Sequence, residues 1–405
     1  QYSVTGDPLD PRRARAGRGL LLLGAGLLGM RVAAGAEFAG PIQLTNIEQL
    51  VAIGKEAPRL SNYTARVRGV VTYCLRDLPW LYMQDGTNAG LVVYSGPHTD
   101  YPAGALIEAE GPVGAGSYAP YIGSARIQVL GPGEWPAPKL GDPLRLAAGE
   151  DFARFVQVRG YVRDLTALAG QTMSLLLSGG GIHYYARIQV PAEFVLPRDW
   201  LDAEVEVRGI CWTVDANGRP VSFTIHAPGT NFVTLLRPGS ARLFDRPLRT
   251  MASLAGASRD VGERVRVAGV VTLHSPGGRL YLEDETGPLS VQPLDLLRVG
   301  GLPIQALPHQ DQAPLALGDR IEVLGVPVIS GRVPEMVDAE YRRISGGPPI
   351  APQRIQAAAL GREELAGRLV TIKARLLDRT TRQIGQVFTD TLTLESGGEV
   401  LEAVL

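Results

Sequence analysis

One short segment occurs three times in this chain. Val67-Arg68-Gly69-Val70-Val71-Thr72 returns as Val158-Arg159-Gly160-Tyr161-Val162-Arg163 and as Val267-Ala268-Gly269-Val270-Val271-Thr272. A degenerate fourth copy is Ile372-Lys373-Ala374-Arg375-Leu376-Leu377. Runs rich in β-branched residues read as strands. A glycine in mid-strand normally weakens a strand, so its recurrence needs a cause. Its recurrence at one place per copy points to a coiled strand at the corner of a small barrel.

The spacing predicts the remaining strands. Leu81-Tyr82-Met83-Gln84-Asp85-Gly86 is matched by Leu280-Tyr281-Leu282-Glu283-Asp284-Glu285, and polar turns lead from these to third strands over Gly90 to Tyr94 and Pro288 to Val291. Fourth strands, each with its own glycine, are Leu106 to Val113, Val205 to Ile210 and Ile321 to Val326. Apolar and charged residues alternate in them, which gives one dry and one wet face. Fifth strands are predicted over Ala125 to Leu130, Asn231 to Leu235 and Glu340 to Ile344.

A longer period overlies the short one. Leu44-x-x-Ile47-x-x-Leu50 precedes the first unit, Leu248-x-x-Met251-x-x-Leu254 precedes the third, and Gly69 and Gly269 stand 200 positions apart. Pairs of units are therefore duplicated. Thr45 and Glu48 fit a capping box, so a short helix is expected from about Asn46 to Gly54, with Ile47, Leu50 and Val51 on its core face.

Five short strands with a glycine-kinked first strand describe an OB-fold, a partly open Greek-key barrel. The predicted class is all-β: tandem OB-fold-like five-stranded barrels with short linking helices. The units fall at about 42–137, 138–245, 246–350 and a truncated 351–405, with proline clusters at the joints. Composition agrees, since 49 glycines and 30 prolines suit many turns, and 45% hydrophobic residues supply cores.

Residues 1–36 read as an export signal. Arg12, Arg13, Arg15 and Arg18 precede an uncharged apolar run from Gly19 to Met30, and Ala34-Gly35-Ala36 offers a cleavage site before Glu37. The run is short for a membrane span, although an uncleaved anchor remains the alternative. Gly24-Ala25-Gly26-Leu27-Leu28-Gly29 matches a dinucleotide fingerprint but lacks the following helix, strand and acidic residue. Without residues 1–36 the charge goes from −1 to −4, because five arginines and two aspartates leave. Cys74 and Cys211 fall in strand-like segments of different units, where buried thiols are expected ahead of a disulfide.

The signal-like start, the Leu-x-x-Ile-x-x-Leu lead, RVRGVVTY and LYMQDGTNAGLVV together resemble the extracytoplasmic OB-repeat region of bacterial sensor histidine kinases. Gly318-Asp319-Arg320-Ile321-Glu322-Val323-Leu324-Gly325 resembles that group's fourth-strand motif. The resemblance covers about residues 37–405 and implies a sensory input region, exported and tethered to the inner membrane, with membrane and kinase domains beyond it. The chain shows no phospho-acceptor helix: His98, His183, His226, His274 and His309 all stand in turn- or strand-like contexts. The barrels also resemble those attached to secreted nucleases, so a nucleic-acid-binding module of a secreted nuclease or DNA-uptake system is the second reading, and a structural or adhesive repeat protein is the third.

No catalytic residue, metal site or cofactor is predicted. The histidines are scattered, without His-x-x-x-His or Cys-x-x-Cys spacing, and His98 with Asp100 or His309 with Asp311 read as solvated loop residues. Ligand contacts are expected on the strand 2–3 face and its loops. The residues there are Arg76, Trp80, Tyr82, Tyr94, Tyr118 and Tyr121 in the first unit, and Arg279 and Tyr281 in the third. Aromatic rings beside arginines suit single-stranded nucleic acid, a sugar or a protein partner. Core packing is an equal alternative for alternate members of the set, and 6% aromatic residues is few for a long stacking track.

Overall fold

A computed structural model describes residues 41–404, apart from 55–59, 75–78, 88, 97–99, 217, 257–261, 275–278, 295–297, 300–301, 304–314, 329–332 and 385–386. The export signal with its Ala36–Glu37 junction, Arg76, His98, His309 and Asp311 lie outside the described residues.

The chain is all-β, and its repeats are barrels. Barrel 1 is built from Tyr63–Cys74, Trp80–Gln84, Gly90–Tyr94, Ala105–Gly114 and a last strand in two pieces, Tyr121–Ile122 and Arg126–Pro132. Its first strand runs antiparallel to the second and also to the fourth, with Gly69 opposite Ile107, which closes the sheet on itself. Barrel 2 uses Phe155–Leu168, Thr172–Gly179, Ile182–Gln189, Glu204–Ala216 and Arg219–Ala227; barrel 3 uses Val265–His274, Leu280–Glu283, Pro288–Pro293, Arg320–Val328 and Glu335–Ser345. All three share the order 1-2-3-5-4 with a return to strand 1, the OB-fold arrangement. Each barrel encloses its own apolar core.

The last strand has two tasks, and the sequence pattern revealed only the second. In barrel 2 the predicted segment Asn231 to Leu235 becomes a 3-10 turn at Thr230–Phe232 and a short strand, Val233–Arg237, paired with the outer end of strand 4. Closure is performed earlier, by Arg219–Ala227, which lies parallel to strand 3. Barrel 1 divides the tasks between its two pieces. Barrel 3 performs both with one strand bent at Asp338, whose φ is 53°. Residues 351–404 carry a parallel pair, Gln353–Arg354 with Val370–Thr371, and a meander of Arg375–Ile384, Val387–Ser396 and Glu399–Val404. The predicted run Ile372 to Leu377 is broken there, because residues 372–374 are outside any strand.

The recurring strand-1 glycine serves close approach. A Cβ at Gly69 would sit 2.7 Å from the Gln84 carbonyl oxygen, and at Gly269 it would sit 2.3 Å from Met251 Cε. Strand 2 and the lead helix occupy the space that a side chain would need.

The lead helix Ile47–Ile53 is capped one residue later than predicted. Asn46, and not Thr45, is the N-cap, accepting from the Gln49 backbone N–H at 2.8 Å. Gln49 replaces Glu48 as the residue that reaches back, its Oε1 accepting from the Thr45 N–H at 3.1 Å. Ile47 and Leu50 are fully buried, whereas Val51 turns outward and is 38% exposed. The hairpin aspartate of the strand-2 motif pins this helix: Asp85 Oδ2 accepts from the Ile47 N–H at 2.9 Å, and Asp284 Oδ2 accepts from the Met251 N–H at 3.0 Å. The aspartate also closes its own turn, accepting from Thr87 N–H in barrel 1 and Thr286 N–H in barrel 3. That double use explains why lead and hairpin motifs recur together.

Candidate functional site

Part of the face expected to carry ligand contacts in barrel 1 is covered by barrel 2. Tyr82 is only 3% exposed; its ring lies 6.1 Å from Tyr73 and 6.0 Å, edge-on, from Trp212 of barrel 2. Tyr73, Tyr82, Ala153, Phe155 and Ile210 form one buried cluster across the joint. Tyr118 packs on Phe152 at 5.3 Å, and burial together with the Asp215 charge pushes its hydroxyl up to about 12. Two polar contacts fix the register: Gln84 Oε1 accepts from the Phe155 backbone N–H at 2.9 Å, and Gln189 Nε2 donates to the Cys74 carbonyl at 2.8 Å. Cys74 and Cys211 are buried thiols. Tyr82, from the outer side of strand 2, and Tyr118, from the loop before strand 5, therefore hold the barrels together, because both meet another unit and not solvent.

His226 sits at this joint with its ring 5.3 Å from Tyr73, and burial plus the Arg187 charge lowers it to about 3. A histidine held neutral when folded takes up a proton more readily when unfolded, so its share of stability is present above pH 6.5 and is lost as pH falls toward 3. Lowering the pH from 7 to 5 is expected to cost about 2 kcal/mol through this group. Urea unfolding of wild type and His226→Phe at both pH values checks it. Equal pH dependence in the two proteins would contradict it.

A related but more open contact recurs one period later. Tyr281 occupies the place of Tyr82, and with Leu273 it lines a cleft against Gly367, Arg368 and Leu369. Pairing Lys139 with Val156 in barrel 2 and Gln353 with Val370 in the next unit aligns Ala153 with Gly367 and Phe155 with Leu369. Ala153 and Gly367 share the left-handed conformation, at φ 62° and 74°. Glu283, in the place of Gln84, also reaches forward, to Arg368.

The joint between barrels 2 and 3 is ionic. Arg163 Nη1 donates to Asp202 Oδ1 at 2.9 Å and its Nε donates to Asp338 Oδ2 at 2.8 Å. Arg264 Nε meets Asp202 Oδ1 at 2.7 Å, Arg264 Nη1 meets Glu340 Oε1 at 2.7 Å, and Arg246 Nη2 meets Asp202 Oδ2 at 3.1 Å. His183 Nε2 lies 2.6 Å from Asp338 Oδ1. Three arginines balance three carboxylates, and the side chains of Arg163 and Arg264 have no exposed surface. Burial alone would raise Asp338, but its bonds and charges from His183 and Arg163 hold it well below the usual carboxylate range. An apolar cluster of Leu176, Leu294 and Val299 also joins residues of the two barrels. Residues this far apart in sequence carry no local pattern, and the sequence reading missed all of them as a site.

Trp80, Tyr94 and Tyr121 do come together on barrel 1. Their half-buried rings lie 4.7 Å (Trp80–Tyr94) and 6.3 Å (Trp80–Tyr121) apart. Arg279 is exposed, with Nη1 3.4 Å from Ser290 Oγ and a second contact to Glu335. On the wet face of each barrel an arginine of strand 1 meets a glutamate of strand 4. Arg66 and Arg68 contact Glu108 at 2.7 Å each, Arg159 contacts Glu206 at 3.0 Å, and Arg266 contacts Glu322.

Among the described residues no group of three or more His, Cys, Asp or Glu is placed to hold a metal ion, and no helix is long and apolar enough to cross a membrane. No protein-family model matches the chain, and no curated protein matches it. Similar solved structures include an aspartyl tRNA synthetase from Entamoeba histolytica, 15% identical over 25% of this chain and 22% of that one, TM-score 0.21. The chain thus spans about a fifth of the synthetase's length. The tetrameric p202 HIN2 is 10% identical over 47% of this chain and 94% of that one, TM-score 0.21. A murine DNA binding protein bound with ds DNA is 8% identical over 44% and 96%, TM-score 0.23. Likenesses this distant carry no argument about function.

Proposed function

We propose that the chain is a non-catalytic, extracytoplasmic binding array that serves as the sensory input region of a membrane histidine kinase. The observation that carries this reading is the repeated docking of one unit's strand 1–2 face on the next unit. Units coupled in this way move together, and a ligand that prefers one arrangement of a joint shifts the whole array. The motif resemblance over residues 37–405 supports the same reading. The test is the coding sequence beyond Leu405. An apolar span of about 20 residues followed by a histidine-kinase core is expected. A stop codon within roughly that distance, with neither feature, would contradict it.

Single-stranded nucleic acid is the second reading, favoured by the Trp80–Tyr94–Tyr121 ring cluster. It requires oligonucleotide affinity that falls steeply with salt. The strand 1–strand 4 arginine–glutamate pairs weigh against it, since those guanidinium charges are already met.

A further inference from the structure

Beside the first joint lies a cleft of about 360 Å³, within the range of small-ligand pockets. It is lined by Trp135 and Phe232, whose rings touch at 4.7 Å between centroids, and by Phe155, 5.5 Å from Trp135 and 6.1 Å from Phe232. Pro136 borders it, and Arg208 and Asn231 are its polar side chains. The guanidinium of Arg208 stands 5.9 Å from the Phe232 ring and donates through Nη2 to the Asn231 carbonyl at 3.2 Å.

Two differences mark Arg208: it lacks the carboxylate that meets Arg159 beside it, and no other barrel has a positive charge at its position. Among the described residues it makes no ion pair, and its Nε has no hydrogen-bond partner. Arg159, on the adjacent strand, has its charge met by Glu206. The repeat shows the second difference. The residue before the strand-4 glycine is Glu110 in barrel 1 and Leu324 in barrel 3, so the unmet positive charge is special to barrel 2.

We infer that this cleft binds an aryl carboxylate, a planar ring carrying one negative charge. The ring lies across Trp135 and Phe232, where aromatic contacts are favourable, and the carboxylate takes a charge-assisted bond from Arg208. A cation is repelled by Arg208. A polyhydroxylated sugar would find only two polar side chains, Arg208 and Asn231, for its many hydroxyls. The inference rests on the binding-array reading and adds the ligand class to it.

Calorimetric titration of the full chain with benzoate, benzamide and cyclohexanecarboxylate tests it. Benzoate is expected to bind roughly tenfold or more tightly than either of the others, the size of one charged hydrogen bond. Arg208→Gln should erase the benzoate-over-benzamide preference, and Arg208→Lys should keep part of it, with both variants retaining the wild-type circular dichroism spectrum. Equal or undetectable binding of the three probes to wild type overturns the inference. So does a preference that survives Arg208→Gln, or an oligothymidylate that binds through Arg208 more tightly than benzoate. A kinase core found downstream beside absent benzoate binding would remove the ligand class and leave the sensory reading standing.

Discussion

Asp202→Asn is expected to destabilise the joint between barrels 2 and 3 by about 3–5 kcal/mol, the cost of leaving buried charge without its partner. Asp202 accepts from Arg163, Arg246 and Arg264, and its side chain is 2% exposed. Asparagine keeps the size and tolerates the φ of 60° found there, so the loss reports charge and not backbone strain. Denaturant unfolding monitored on barrels 2 and 3 measures it, with Glu150→Gln as the surface control. The exposed Arg145–Glu150 pair is screened by water and contributes little. A loss for Asp202→Asn no larger than the control would mean that the network is hydrated in solution. The network's value lies in geometry: apolar residues would fill the space at similar stability, but they would not fix one orientation of barrel 3 on barrel 2.

Tyr82→Ala is expected to cost about 3–5 kcal/mol, as truncation of a buried aromatic ring does. The ring bridges Tyr73 of its own barrel and Trp212 of the next, so the loss should appear as separation of barrels 1 and 2 before either unfolds. A ligand-contact role predicts the opposite pattern, with weaker binding and near-wild-type stability. Thermal unfolding followed at Trp212 separates the two outcomes.

The repeat made the barrels readable because closure imposes local rules. Strand 1 must carry a residue without a side chain at Gly69, Gly160 and Gly269, and the hairpin aspartates must serve both a turn and a helix. Such rules act within a few strands and leave a period in the sequence. The cap was misplaced by one residue because Thr45 and Asn46 are both competent caps, and only the path of the chain past Asp85 decides between them. The role of Tyr82 was not readable, since strand alternation tells which side chains leave the core but not what they then meet. The ionic joint depends on Arg163, Asp202 and Asp338, which are distant in sequence, so no window contains it. Arg208 was legible in principle, by aligning the residue before each strand-4 glycine and finding a positive charge where the other copies have Glu110 and Leu324.

The central claim is that barrel 1 docks on barrel 2 through its strand 1–2 face. Exchange of the Phe155 amide tests it most directly, because that N–H is bonded to Gln84 Oε1 across the joint at 2.9 Å. The account predicts protection comparable to core amides such as Val67 in the wild-type chain. It also predicts selective loss in Gly90→Val, since a Cβ at Gly90 would lie 2.1 Å from the Ala153 carbonyl oxygen. A Phe155 amide that exchanges freely in the wild-type chain while Val67 stays protected would contradict the docked arrangement.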